Sequence, residues 1–277
     1  MAASKEDLQK IVAEITLNPQ TFELIEKLKI YGDRQILFKV LEGKLNYDLD
    51  YLKTDLASLI SAMKQFETIK PAKKFEAISK ELYQNPLLPV IMDLYYAMAE
   101  PFLLRKTVKQ EILYTAFKLF QPQKMFIGGV GSGEILDIIK QMPMSDPARL
   151  DIHAVDISQP SIEYCKTKYP SLPFRVNFDL QDLDKIELDQ GYDLAELSEV
   201  LEHVRDPQAL MAKIGKSCKY VLATIPLGLD VPDHLHIFQP PQIMQLLNSA
   251  GLDPLYQTIR GGTYIRQFFY FGLLRKI

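Results

Sequence analysis

Two carboxylates and an imidazole stand close together in the sequence, at Glu199, Glu202 and His203. If this segment forms a helical turn, the spacing of three and four residues places all three side chains on one side. Carboxylate and imidazole groups are suitable ligands for a hard or borderline divalent cation. A later loop offers His234 and His236, so these two segments hold three of the four histidines. The pattern predicts a metal site formed by Glu199, Glu202, His203 and His236.

The same residues can also work without a metal. A histidine beside carboxylates can act as a general base, and a glutamate at this place can instead cap a helix or bond to the backbone. Both interpretations stay open on the residues alone. The candidate catalytic residues are His203, Glu199 and His234.

A glycine-rich turn, Gly129-Val130-Gly131-Ser132-Gly133, is the second feature with chemical meaning. Glycines let the backbone turn tightly and approach a ligand that a Cβ atom would push away. A dinucleotide fingerprint needs a third glycine where Glu134 stands, and a P-loop needs a Gly-Lys-Ser/Thr sequence that does not follow this turn. The turn therefore predicts a ligand at a strand end, but neither a dinucleotide nor a P-loop nucleotide.

Acidic residues follow two later apolar runs. Asp156 comes directly after Ile152–Val155, and a carboxylate at such a strand end can accept hydrogen bonds from both hydroxyls of a ribose. Asp182 and Leu183 follow the next run, where they can supply an acceptor for an adenine amine and an apolar contact. Helix capping is the alternative for Asp156, and turn formation is the alternative for Asp182.

From residue 121 onward, the elements that must position these residues alternate between strand and helix patterns. The predicted strands are Lys124–Val130, Leu150–Val155, Phe174–Phe178, Tyr192–Leu197 and Tyr220–Ile225. The helical patterns between them are Gly133–Gln141, Gln159–Lys168 and Asp206–Lys216. Such alternation favours a parallel sheet covered by helices on both faces.

The tail differs, because Leu255–Arg260 and Tyr264–Leu274 have the pattern of two strands joined through a glycine turn. We therefore predict an α/β domain over residues 121–277. It has a Rossmann-like, seven-stranded, mostly parallel sheet that ends in a C-terminal antiparallel hairpin.

Before residue 121 the apolar residues recur at helix spacing, as in the stripe formed by Leu8, Ile11, Val12 and Ile15. We predict an all-helical subdomain over residues 1–120. Its position before the first strand suits a lid that excludes water from the ligand cleft and shapes an acceptor pocket. Plain core packing or a protein interface is the alternative.

The composition is that of a globular protein, with 277 residues, of which 47% are hydrophobic and 24% charged. A formal net charge of −3 gives no basic field for a phosphate backbone, which argues against a general nucleic-acid partner. No apolar run is long enough for a membrane helix, and charges stand where a signal peptide would need apolar residues. Because Cys165 and Cys218 are isolated, we expect reduced thiols in a cytoplasmic protein.

Over residues 122–277 the order of these motifs resembles the class I S-adenosylmethionine-dependent methyltransferases. The glycine turn is similar to the first motif of that family, and Asp156 matches its ribose-binding acid. The segment Gly191–Val204 resembles the strand and loop that face the methyl group. The resemblance implies S-adenosylmethionine as cofactor. It also implies cofactor contacts from Gly129, Gly131, Gly133, Asp156, Ile157, Asp182, Leu183 and Ser198.

The Glu-x-x-Glu-His arrangement resembles two groups within that family. These are the ubiquinone-pathway O-methyltransferases and the small-RNA 3′-terminal 2′-O-methyltransferases, in which the matching residues bind a divalent metal. Such a metal would orient the acceptor oxygen and lower its pKa. The resemblance implies an enzyme that methylates an oxygen of a small or mid-sized metabolite. RNA 3′-end methylation is the alternative, although Gln239-Pro240-Pro241 replaces the aromatic and acidic stretch of the RNA group.

One position departs from the family pattern. Most members have an acidic residue two positions before the first glycine, and Ile127 stands there in this chain. Contacts to the methionine end of the cofactor must then come from elsewhere, for example from the N-terminal helices. The same departure favours the alternative of a non-catalytic, cofactor-binding partner subunit. The identity of the acceptor and the oligomeric state stay open.

Overall fold

A computed structural model describes residues 71–86, 88–89, 92, 100–229, 233–261 and 266–274. The helical stripes predicted before residue 71 lie outside the described residues. The helices are α1 (Pro71–Glu81), α2 (Glu100–Phe120), α3 (Glu134–Ile139), α4 (Gln159–Lys168), α5 (Pro207–Ser217) and α6 (Pro240–Ser249). The strands are β1 (Lys124–Gly128), β2 (Asp151–Asp156), β3 (Arg175–Leu180), β4 (Tyr192–Ser198), β5 (Cys218–Leu227), β6 (Leu252–Gly261) and β7 (Arg266–Leu274).

The described strands form one seven-stranded sheet in the order β3-β2-β1-β4-β5-β7-β6. Strands β1 to β5 are parallel, whereas β7 runs antiparallel to both β5 and β6. The predicted Rossmann-like sheet with a C-terminal antiparallel hairpin is confirmed. The strand order reverses between β1 and β4, and ligands of such sheets bind at the carboxyl ends of the strands beside this point.

Local sequence explains where the crossover helices begin. Ser158 precedes α4, and its hydroxyl accepts a hydrogen bond from the Ser161 amide at 3.2 Å. Asp206 precedes α5, and its carboxylate accepts from the Ala209 amide at 2.9 Å. These side chains satisfy amides that the first helical turn leaves without a partner. The helices therefore begin just after the loops that carry the acidic candidates.

The apolar side chains of the sheet separate into two cores, one on each face. In β1, Met125 and Ile127 pack on the face that carries α2, α3 and α4, whereas Phe126 packs on the face that carries α5 and α6. This alternation follows from the two-residue period of a strand. Because α2 contributes Leu113 and Phe117 to the first core, it packs against the same face of the sheet as α3 and α4. The division of the chain at residue 120 stays a prediction.

Two further findings concern the sequence predictions. Cys165 and Cys218 are buried free thiols, as expected from their isolation. Within the described part of the chain, no helix is long and apolar enough to cross a bilayer.

Candidate active site

The glycine turn follows β1 at the carboxyl edge of the sheet. Gly129, Gly131 and Gly133 have φ angles of 74°, 53° and 81°, which L side chains rarely adopt. A Cβ atom at Gly129 would lie 2.7 Å from Val200 Cγ2, and one at Gly133 would meet the Tyr169 ring. The positive φ values and close packing explain why the turn needs glycine.

Ser132, inside this turn, has an unusual hydroxyl group. The side chain is 1% exposed, and its Oγ makes no hydrogen bond with any described residue. Buried hydroxyls usually have a partner, because a buried hydroxyl without a hydrogen bond costs about 1–3 kcal/mol. The turn therefore offers a polar group that a ligand can satisfy.

Asp156, at the end of β2, braces the glycine turn. One carboxylate oxygen accepts a hydrogen bond from the Gly131 amide at 2.8 Å, and the other accepts from the Ser158 amide at 2.9 Å. Burial raises the pKa of Asp156 above its usual value, although these amide bonds act against the rise. The amides of Gly131, Ser158 and Ile157 use only part of the acceptor capacity of the carboxylate, so the bracing role and the predicted ribose role are compatible.

Other predicted cofactor contacts lie around the same edge. Asp182 accepts from the Asp184 amide at 3.0 Å and pairs with Arg205 at 3.4 Å, which matches the turn-forming alternative. Leu183 is buried in the second core. The carbonyl of Ile157 accepts from the Gln84 amide group at 3.1 Å. Their roles toward a cofactor stay predictions.

The segment that begins at Glu199 does not form the helical turn that would put Glu199, Glu202 and His203 on one side. Glu199 has a φ of 55°, and the chain after β4 makes a left-handed bend followed by turns. Its carboxylate accepts hydrogen bonds from Thr224 at 3.0 Å and from Gln267 at 3.2 Å, and it lies 3.9 Å from Arg105. The Glu199 carboxylate is therefore held by partners on β5, β7 and α2 and does not belong to the group formed by Glu202, His203 and His234.

The bend brings Glu202 and His203 to His234, which follows β5. One ligand atom from each of these three residues lies within 4.8 Å of the others. Among the described residues, this Glu–His cluster (Glu202, His203 and His234) is the group that matches a metal site. The structure therefore puts His234, and not Glu199 or His236, beside Glu202 and His203.

Backbone carbonyls orient both imidazoles of the Glu–His cluster. His203 Nδ1 lies 3.0 Å from the Asp233 carbonyl oxygen, and His234 Nδ1 lies 2.9 Å from the Leu229 carbonyl oxygen. A carbonyl can only accept, so each Nδ1 carries a proton, and an imidazole in its neutral form then has its lone pair on Nε2. Metal-binding histidines are commonly oriented in this way. His203 Nε2 lies 3.7 Å from a Glu202 oxygen.

Glu202 has no hydrogen bond for either carboxylate oxygen among the described residues, although it is only 1% exposed. Burial, and then the nearby Glu199 carboxylate, raise the pKa of Glu202 well above its usual value. Burial and then His203 lower the pKa of His234 to about 4, so its ring is neutral at pH 7. A bare buried carboxylate beside two imidazole lone pairs can bind a cation.

His236 lies outside this group for a local reason. Its Nε2 donates to the Val204 carbonyl at 2.9 Å, so the ring fastens one loop to the other. The carbonyl of Glu202 also accepts from the amides of Leu235 and His236, at 2.8 and 3.1 Å. These backbone bonds align the two loops and leave His234 facing the Glu202 carboxylate.

Residues 71–86, here called the cover segment, lie over these loops. Lys74 donates to the His234 carbonyl at 3.0 Å, and the ring of Phe75 lies 3.8 Å from the Arg205 guanidinium. The Tyr83 ring lies edge-on to His203, with 6.4 Å between centroids. With Gln84 bonded to Ile157, the segment contacts the loops after β2, β4 and β5.

Helix α2 contributes two cations that the sequence analysis did not predict as site residues. Lys109 Nζ lies 2.9 Å from a Glu134 oxygen and 3.9 Å from a Glu196 oxygen, while Arg105 lies 3.2 Å from Glu134. We call Arg105, Lys109, Glu134 and Glu196 the ion cluster, and none is more than 8% exposed. The available signal was Glu196, a charge within the apolar strand pattern of β4.

Comparison with known proteins agrees with this geometry. Residues 128–220 match the profile of a family described as a methyltransferase domain. No curated protein matches the sequence. The match starts at the glycine turn and ends within β5, so it contains both Asp156 and the Glu202 loop.

Residues 128–220 are therefore similar to a methyltransferase domain. Three solved structures are similar to this chain in fold. N-methyltransferase NodS from Bradyrhizobium japonicum WM9, in complex with S-adenosyl-L-homocysteine, has a TM-score of 0.52 and 11% identity over 64% of this chain and 89% of that chain. Magnesium protoporphyrin IX methyltransferase from Synechocystis PCC 6803, with bound S-adenosylhomocysteine, has a TM-score of 0.50 and 10% identity over 63% and 85%. The [4+2]-cyclase SpnF has a TM-score of 0.51 and 13% identity over 61% and 80%.

Proposed function

We propose that this protein transfers the methyl group of S-adenosylmethionine to an oxygen atom of a small or mid-sized metabolite. The observation that carries this proposal is the Glu–His cluster at the carboxyl edge of the methyltransferase domain. Its bare Glu202 carboxylate and two imidazole lone pairs lie where the loops after β4 and β5 meet. Groups of this kind can bind a metal that activates a hydroxyl acceptor, or can take up its proton.

The glycine turn fits the cofactor. Its positive φ angles bring the backbone close to a ligand, and the Ser132 hydroxyl is a buried group without a partner among the described residues. Asp156 braces the turn and keeps lone pairs for ribose hydroxyls. Two proteins of the same fold, NodS and the magnesium protoporphyrin IX methyltransferase, are solved with S-adenosylhomocysteine.

The residues that would hold a divalent ion are Glu202, His203 and His234, which leave further coordination positions for an acceptor. When bound, the ion would lower the pKa of the acceptor hydroxyl and fix its position. The protein itself orients both imidazoles through the Asp233 and Leu229 carbonyls. Without a metal, the same His203 lone pair would accept the hydroxyl proton, so the two versions make different predictions for chelation.

The cover segment would exclude water from the reacting groups. Lys74 holds the His234 loop, and Gln84 holds the loop that follows Asp156. The Tyr83 ring lies edge-on to His203, and burial followed by the nearby acids Asp233, Asp156 and Glu202 raises the pKa of Tyr83 well above the usual value. We propose that this part of the predicted 1–120 subdomain acts as a lid, with a small molecule as the partner beneath it.

Methyl transfer would be measured with the full chain, once after metal removal by a chelator and once after addition of a divalent metal. Tritiated S-adenosylmethionine would be offered with a panel of hydroxylated metabolites, and with an RNA carrying a free 2′-hydroxyl at its 3′ end. We expect transfer to a metabolite, loss on chelation and recovery with Mn²⁺, Co²⁺ or Zn²⁺. Transfer only to RNA would support the RNA alternative, and transfer that survives chelation would favour His203 as base.

Two variants distinguish the residues that would bind the metal from those that would not. Glu202→Gln is expected to lower metal affinity at least about 100-fold, because it removes a charged ligand from a site where even supporting residues contribute 10–100-fold. His236→Ala is expected to keep metal affinity, because His236 bonds to Val204 rather than to the Glu–His cluster. Co²⁺ absorption gives a readout that does not depend on the acceptor. Equal Co²⁺ spectra for wild type and Glu202→Gln would refute the metal assignment.

A further inference from the structure

The ion cluster lies on the sheet position where the family motif is incomplete. Ile127 pairs in register with Glu196 on the neighbouring parallel strand β4. Paired residues of adjacent strands point to the same face of a sheet, and the alternation in β4 also places Glu196 on the α2 face. A carboxylate absent from β1 is therefore present one strand away, on the same face and at the same level.

The cluster holds both signs of charge beside the glycine turn. Glu134 follows Gly133 directly, and Lys109 donates to it at 2.9 Å. The Lys109 and Arg105 cations hold the pKa of Glu134 at about 2 despite its burial, so this carboxylate is ionised. Ser198 donates a hydrogen bond to Glu196. Lys109 Nζ thus lies near two carboxylates, 2.9 Å from Glu134 and 3.9 Å from Glu196.

The cluster also has capacity for a ligand. The second oxygen of Glu134 is buried and makes no hydrogen bond with a described residue, and the hydroxyl of Ser132, two residues earlier in the chain, has no partner among them either. Glu199, which lies 3.9 Å from Arg105, is a third carboxylate near these cations among the described residues. A buried acceptor without a partner favours an added hydrogen-bond donor such as an ammonium.

We infer that the ion cluster binds the α-amino-acid end of the cofactor, with Glu196 and Glu134 accepting the α-ammonium and with Arg105 and Lys109 facing the α-carboxylate. The inference rests on the proposed function, because it assigns one end of the same ligand. A site that recognises a zwitterion needs a carboxylate for the ammonium and a cation for the carboxylate, a short distance apart. The ion cluster supplies both. The contact that Ile127 cannot make is then made from β4 and α3.

A cycle of two proteins and two ligands tests the inference. Wild type and Glu196→Gln would be titrated by calorimetry with S-adenosylhomocysteine and with its analogue that lacks the α-amino group. Glutamine keeps the shape and the acceptor for Ser198 but removes the charge. A charge-assisted hydrogen bond corresponds to about 10–100-fold in affinity. We expect Glu196→Gln to lose about that factor for S-adenosylhomocysteine and less than about twofold for the analogue.

Several outcomes are distinguishable. Equal losses for both ligands, or no loss for either, would overturn the assignment of Glu196 while leaving cofactor binding intact. If wild type binds neither ligand, the proposed function itself fails. If Glu196→Gln does not fold, wild type alone decides, because equal affinity for the two ligands refutes an ammonium subsite. Glu163→Gln, an exposed carboxylate on α4, is the control and is expected to change neither affinity.

Discussion

The ion cluster and the Glu–His cluster lie near the same edge of the sheet, yet they differ in whether their buried carboxylates have partners. In the ion cluster, Lys109 and Arg105 lie within 3.2 Å of the Glu134 carboxylate. In the Glu–His cluster, Glu202 is just as deeply buried, but no described residue donates a hydrogen bond to it. The first cluster can be stable as it stands, whereas the second leaves a bare carboxylate that calls for a proton or a cation.

This difference decides how each cluster affects the stability of the ligand-free protein. Buried charges with partners become costly only when one partner is removed. A buried carboxylate without a partner is costly in the folded protein itself, and such groups concentrate at functional sites. Substitutions in the two clusters should therefore change stability in opposite directions.

Lys109→Met gives the largest expected effect. The substitution leaves the Glu134 carboxylate, which is 8% exposed, without its 2.9 Å partner. Breaking a buried ion pair costs about 3–5 kcal/mol. We expect a loss of that size in the free energy of unfolding, measured in urea. Lys118→Met, on the exposed side of the same helix, is the control, and an equal effect of both substitutions would contradict the account.

Glu134→Gln tests the charge of the ion cluster through the pH dependence of stability. The pKa of Glu134 in the folded protein is about 2, below the usual 4.5, so its charge contributes stability above pH 4.5 that is lost as the pH falls toward 2. A shift of that size corresponds to about 3 kcal/mol. We expect Glu134→Gln to be less stable than wild type at pH 7 and the difference to shrink toward pH 2. A pH-independent difference would argue against an ionised Glu134.

Glu202→Gln is expected to act with the opposite sign. The pKa of Glu202 is raised in the folded state, so the metal-free protein loses stability as the pH rises from 4.5 through the folded pKa. Removing the charge should stabilise the metal-free protein at pH 8 by about 1–3 kcal/mol, the cost of an unsatisfied buried group. Thermal unfolding of chelated wild type and variant measures this gain. A less stable Glu202→Gln would show that the carboxylate has a partner.

Substitutions at Glu199 are expected to give the smallest change in stability. Glycine tolerates a φ of 55° and alanine does not, so Glu199→Gly should be more stable than Glu199→Ala by about 1 kcal/mol. Both variants should keep Co²⁺ affinity within about twofold of wild type, because Glu199 bonds to Thr224 and Gln267. A loss of Co²⁺ binding in Glu199→Gln would return Glu199 to the metal site.

The sequence allowed the fold to be predicted because its signals are local. Apolar runs ended by glycine or aspartate placed the strands within a few residues, and Ser158 and Asp206 marked helix starts. The glycine turn and Asp156 were recognisable for the same reason, since each is one motif at one strand end.

The rest of the site depends on contacts between distant segments. The left-handed bend at Glu199 is held by Thr224 and Gln267, which are 25 and 68 residues away. The choice of His234 over His236 follows from backbone bonds between two loops. The ion cluster requires the register of Ile127 with Glu196, which no local pattern indicates.

Binding of S-adenosylhomocysteine to the full chain tests the central claim most directly. Calorimetry on wild type and on Gly131→Val compares the turn with a variant whose side chain the φ of 53° disfavours. We expect one saturable site in wild type and at least about a tenfold loss of affinity in Gly131→Val, with circular dichroism showing that both proteins are folded. No binding to folded wild type at millimolar ligand would show that the glycine turn does not hold this cofactor.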